Sequence, residues 1–92
     1  MNAPKIFGHD MQEMHTHHDY VRWETNFNSG SKEYCLSFTV IKDSNLIYSI
    51  VHIGNEKVFT SPYFDNEQGA ADKAVDYLNH VSNLLKNLKF GL

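Results

Sequence analysis

An imbalance of periods governs how this chain can fold: two segments alternate apolar with polar residues, two more read as strands between turn residues, and only one segment repeats with a helical period. Val21, Trp23, Thr25 and Phe27 fall on one face of the first segment, and Tyr20, Arg22, Glu24 and Asn26 on the other. Tyr34, Leu36, Phe38 and Val40 repeat the alternation, with Cys35, Ser37 and Thr39 opposed. Such a period of two is that of a half-buried strand. Leu46 to Ile53 is apolar on both faces, as a strand covered on both sides would be, and Glu56 to Thr60 is a fourth strand. Turn residues separate these segments: Asn28-Ser29-Gly30-Ser31, Lys42-Asp43-Ser44-Asn45 and Gly54-Asn55. In the last of these, glycine supplies a positive φ. Pro62, which has no N–H to give a ladder, ends the fourth strand.

The helical period lies near the C-terminal end. Ala71, Ala74, Leu78, Val81, Leu85 and Leu88 recur at spacings of three and four and form one apolar stripe. Asp65 is expected as N-cap, with Gln68 completing a capping box, and Gly91 as the stop. Acidic residues early and Lys86 and Lys89 late oppose the helix dipole. The small residues Ala70, Ala71 and Ala74 imply a close approach to the sheet. The expected fold is therefore a two-layer α+β domain. Its four-stranded antiparallel meander (about 20–27, 34–41, 46–53 and 56–60) is covered on one face by a helix (about 66–89). Residues 1–19 hold three Met and four of the six His without a sustained period, and read as a flexible arm preceding a single domain at 20–92.

Composition excludes several function classes. A chain of 92 residues has room for one core, and 41% hydrophobic residues are too many for a disordered segment. A net charge of −3 argues against a general nucleic-acid binder. No run is long and apolar enough for a membrane span, no leader is expected, and one cysteine allows no internal disulfide, so a cytoplasmic address is expected.

Chemistry has few places to reside. His15, His17 and His18 are the candidate metal ligands, since imidazole binds Zn, Ni and Cu, yet no C-x-x-C or H-E-x-x-H partner pattern completes a set. Cys35 has His52 on a neighbouring strand but no third group to orient it, so it reads as structural. Asp65, Glu67, Asp72 and Asp76 at the helix start have ordinary work in capping and solvation. No phosphate-cradling loop or nucleophile elbow is present, and neither an enzyme nor a cofactor is expected.

The segment Tyr48-Ser49-Ile50-Val51-His52-Ile53-Gly54, followed by Gly69-Ala70-Ala71-Asp72-Lys73-Ala74-Val75-Asp76-Tyr77-Leu78, resembles the second half of a double-stranded-RNA-binding domain. The resemblance covers about a third of the chain and implies a sheet backed by a helix. That family grips phosphates with a basic cluster at the helix start. Here those positions read Asp65, Asn66, Glu67 and Gln68, so the resemblance implies the layer arrangement with RNA binding lost.

One helix shields one face of a sheet, so some of Tyr20, Tyr48, Phe59, Tyr63 and Phe64 are expected to remain exposed. Tyrosine and tryptophan dominate protein interfaces. The function expected is therefore non-catalytic protein binding, as in a small inhibitor, immunity or adaptor protein of the kind phages and mobile elements encode. The expected surface combines Tyr20, Arg22, Glu24 and Tyr48 with Glu67, Asp72 and Asp76 at the helix start. A second copy of the chain is one partner it would suit. The alternatives are a nucleic-acid module and a metal-binding protein using the histidines.

Overall fold

The computed structural model describes residues 4–6, 9–29 and 32–90, with side chains except at 5, 6, 9, 15, 27–29, 32, 34 and 81–90. Seven strands precede one helix: β1 (Lys5–Ile6), β2 (His9–Asp10), β3 (Gln12–His17), β4 (Tyr20–Ser29), β5 (Lys32–Asp43), β6 (Leu46–Ile53), β7 (Glu56–Thr60) and α1 (Glu67–Phe90). β3 to β7 form one antiparallel sheet in chain order, and β1 and β2 pair separately. This is the expected α+β arrangement of an antiparallel meander with a C-terminal helix on one face.

The strand count differs from the expected four. Gln12–His17, placed in the arm by its lack of period, is an edge strand paired to β4 through Gln12↔Glu24 and His17↔Tyr20. Its alternation is hidden by a register shift between Glu13 and His15, because an extra residue inverts the side-chain phase of everything after it. β4 and β5 also run further than expected, pairing as far as Ser29↔Lys32; the expected turn residues Gly30 and Ser31 lie outside the described residues.

Odd residues of β4 and even residues of β5 face the helix, as the alternation requires. Trp23, Leu36, Phe38, Val40 and Val51 are buried against Ala70, Ala71, Ala74 and Leu78. The three alanines carry only a methyl group each, which lets the α1 backbone lie close to the sheet. Val81, Leu85 and Leu88, the lower half of the expected stripe, lie on α1 with side chains outside the described ones, and the expected stop at Gly91 lies outside the described residues. Met11 joins the same core, and its amide donates to the Pro4 carbonyl at 2.8 Å. Met11 and β1 thus fall on the helix side of the sheet.

Local geometry sets the helix start one residue later than expected. Asn66 is the cap: its Oδ1 accepts from the Gly69 amide at 2.7 Å. Asp65 and Asn66 are equally good caps by residue type, and the tether of the Phe64 amide to the Ile47 carbonyl at 2.7 Å selects between them by fixing where the chain turns upward. The expected capping box is absent, since Gln68 Nε2 donates instead to Asp72 Oδ1 one turn ahead. The Gly54-Asn55 hairpin is as read, with Gly54 at φ 63°. After β7, the Ser61 amide donates to the Ser49 carbonyl and its Oγ accepts from the Ser49 amide, both at 2.8 Å. Those two bonds close the ladder just before Pro62.

Candidate functional site: the uncovered sheet face

Strand register assembles the face away from the helix. Pairing runs Tyr20↔Ile41↔Tyr48 in one row, Arg22↔Thr39↔Ile50 in the next, and Glu24↔Ser37↔His52 in the third. Paired residues share a face, so these nine side chains are neighbours. The face carries no second layer among the described residues. Tyr20, Leu46 and Tyr63 stay exposed, Tyr63 most of all at 64%. Tyr63 packs edge-on against Tyr48, with ring centroids 5.7 Å apart and planes at 82°, and so extends the first row beyond β6.

The face has two halves of different chemistry. One end is aromatic and aliphatic: Tyr20, Ile41, Tyr48, Tyr63 and Leu46. The centre is polar. Arg22 Nε donates to Glu24 Oε2 at 3.3 Å, with both side chains mostly covered. Beneath them Ser37 is fully buried although it lies on the uncovered face, because larger neighbours close over so small a side chain. Neither Ser37 Oγ nor His52 Nδ1 has a hydrogen-bond partner, which leaves two buried polar atoms at the middle of this face.

Of the residues expected to form the binding surface, Tyr20, Arg22, Glu24 and Tyr48 are brought together here. Glu67, Asp72 and Asp76 are not. They sit on α1, on the far side of the sheet, because even residues of β5 and odd residues of β6 point towards the helix. Glu67 pairs there with Lys42 at 3.2 Å and Asp72 accepts from Gln68, so they do ordinary surface work. Phe59 and Phe64 also belong to the helix side and are half-buried. Phe59 stacks on Tyr77 at 4.4 Å, and the Tyr77 hydroxyl donates to the Val58 carbonyl at 3.3 Å. The sequence reading passed over Ile41, Ile50 and Ser37, although the same alternation that placed Tyr48 and Cys35 also placed them.

Nucleophilic chemistry finds little footing on this face. Cys35 lies diagonally across from His52, whose direct partner is Ser37. Burial first, and then the negative charge of Glu24, push the Cys35 thiol above its ordinary value, while Arg22 pulls weakly the other way. Burial and the positive charges of Arg22 and Lys57 lower His52. The pair is therefore a protonated thiol beside a neutral imidazole, the opposite of an activated thiolate.

The expected metal ligands lie at another place, the tip of the β3–β4 hairpin. His17 and His18 come together there with Asp19, and donor atoms from the three lie within 4.8 Å of one another. The His15 side chain lies outside the described residues, and its backbone pairs with Arg22, well back from the tip. Among the described residues, no helix is long and apolar enough to cross a membrane. No protein-family model, curated protein or solved structure matches the chain.

Proposed function

We propose that this chain is a non-catalytic protein-binding domain, of the inhibitor, immunity or adaptor kind, which engages another protein through its uncovered sheet face. The observation that carries the reading is the row Tyr20–Ile41–Tyr48–Tyr63 lying beside the Arg22–Glu24 pair on a face with no second layer. Tyrosine and arginine are among the residues that interfaces concentrate, tyrosine because it buries a large area with few rotatable bonds, and arginine because its planar guanidinium offers several donors on an apolar stem. Tyr20, Arg22, Ile41 and Tyr48 stand on paired strands, Arg22 is tied to Glu24, and Tyr63 rests edge-on against Tyr48, so part of the side-chain order is in place before binding.

The acidic helix start belongs to the opposite side of the molecule and is not part of this surface. It also weighs against a nucleic-acid role drawn from the resemblance to double-stranded-RNA-binding domains. Asp65, Glu67 and Asp72 are exposed where phosphates would approach, and phosphate contact supplies most non-specific affinity. The test is capture from a source-cell lysate, with and without nuclease, comparing the natural chain with Tyr48→Ala. A protein retained after nuclease and lost with Tyr48→Ala supports the reading. Capture that disappears with nuclease, or that Tyr48→Ala leaves intact, contradicts it. Light scattering on the purified chain shows whether a second copy is the partner.

A further inference from the structure

We propose that the tip of the β3–β4 hairpin binds a divalent transition-metal ion, Zn2+ foremost, through His17, His18 and Asp19. β3 ends at His17 and β4 begins at Tyr20, so His18 and Asp19 are the two-residue turn and His17 is the last residue of the ladder, paired with Tyr20. This placement folds three consecutive donors onto one point. His18 Nε2 lies 3.3 Å from Asp19 Oδ2, and His17 Nδ1 lies 3.8 Å from the same oxygen. Zinc bonds to imidazole nitrogen and carboxylate oxygen are about 2.0–2.1 Å, so two donors on a tetrahedron stand about 3.3–3.4 Å apart. Of the three separations one already matches this edge and a second closes by a few tenths of an ångström. The two imidazole nitrogens, within 4.8 Å of each other, are brought to the same edge by rotation of exposed side chains.

The donors are also held. The His17 ring stacks on Tyr20, with centroids 5.4 Å apart and planes at 15°, and lies 4.1 Å from the His18 ring. The Asp19 amide donates to His17 Nδ1 at 3.2 Å, so this nitrogen is the unprotonated one, and an ion bound there replaces that single exposed hydrogen bond. All three side chains are exposed, so binding needs no opening of the fold. Two imidazoles and one carboxylate select Zn2+, Ni2+ or Cu2+ over Ca2+ and Mg2+, which prefer all-oxygen sets. Three protein donors leave a fourth position for water. Asp19 thus takes the place that sequence spacing suggested for His15. The inference does not rest on the protein-binding reading, although His17 borders that face where its ring stacks on Tyr20.

The test is a titration of the full, untagged chain with zinc chloride, followed by calorimetry and by amide NMR shifts. One equivalent is expected to bind, with shifts centred on Thr16 to Tyr20. His18→Ala and Asp19→Ala should each weaken binding by about tenfold or more. His80→Ala, at an exposed site on α1, should leave it unchanged. The proposal is overturned by absence of saturable binding, by one-equivalent binding that survives the His17→Ala/His18→Ala double change, or by shifts centred on His52 or His80. The shift map on the natural chain decides the matter even where a variant folds poorly.

Discussion

Replacing Gly69 by alanine sets two effects of known size against each other. Gly69 is the third residue of α1, where alanine is ordinarily better than glycine by about 1 kcal/mol. A Cβ built there stands 2.9 Å from Phe64 Cδ1, 3.3 Å from its Cγ and 3.4 Å from Asn66 Oδ1. The ring has little freedom to retreat, because the Phe64 amide is bonded to Ile47 and the side chain packs against the core. Forcing a methyl group into such a contact costs about 1–3 kcal/mol. The net expectation is a loss of about 0–2 kcal/mol, or a melting temperature lower by up to roughly 10 °C for a domain of this size. Urea denaturation followed by fluorescence of the buried Trp23, the one tryptophan, measures it. In a Phe64→Leu background the contact is relieved, and Gly69→Ala should then stabilise. A gain of the full 1 kcal/mol or so in the natural background would refute the argument, since Phe64 would not be packed against the helix start.

Three further outcomes follow from named contacts. Asn66→Ala should cost about 1 kcal/mol by removing the acceptor for the Gly69 amide, while Asp65→Ala costs much less; equal losses in thermal melts would count against the cap assigned here. His52 is lowered in the folded chain, so above its ordinary value near 6.5 it is neutral folded or unfolded and adds no pH dependence. As pH falls through that value the unfolded chain takes up the proton that the folded chain resists, and stability declines. Stability of His52→Gln should therefore fall less than that of the natural chain between about pH 7.5 and pH 5; parallel curves would contradict the assignment. Cys35, held as the thiol, should react with a disulfide reagent near pH 8 more slowly than a small free thiol, and Glu24→Gln should speed it; a fast reaction would mean an activated thiolate after all.

Legibility in the sequence followed the phase of the side chains. Strands β4 and β5 and the helix were readable because Val21 to Thr25, Leu36 to Val40 and Ala71 to Leu78 keep one period from end to end, and β6 and β7 because Gly54-Asn55 and Pro62 bound them. β3 was not, because the register shift after Glu13 breaks the phase and its residues are polar on both sides of an exposed edge. The cap was missed by one position because Asp65 and Asn66 differ only in a long-range bond from Phe64 to Ile47, which no local pattern encodes. On the candidate face, alternation alone grouped Tyr20, Arg22 and Glu24. Attaching Glu67, Asp72 and Asp76 to them required knowing which side the helix covers, and the apolar phase of β5 places it on the opposite side. Asp19 is not legible as a donor from residue type alone, because it is the two-residue turn that folds its carboxylate back onto His17 and His18.

Oxidative footprinting of the chain, free and in complex with its captured partner, tests the central claim most directly. Hydroxyl radicals label exposed aromatic rings in the free chain, Tyr63 most strongly. In the complex, Tyr20, Tyr48 and Tyr63 should lose reactivity together, while Phe59 and Tyr77 on the helix side keep theirs. Protection of Phe59 and Tyr77 with the three tyrosines still reactive would place the partner on the opposite side of the sheet and contradict the account.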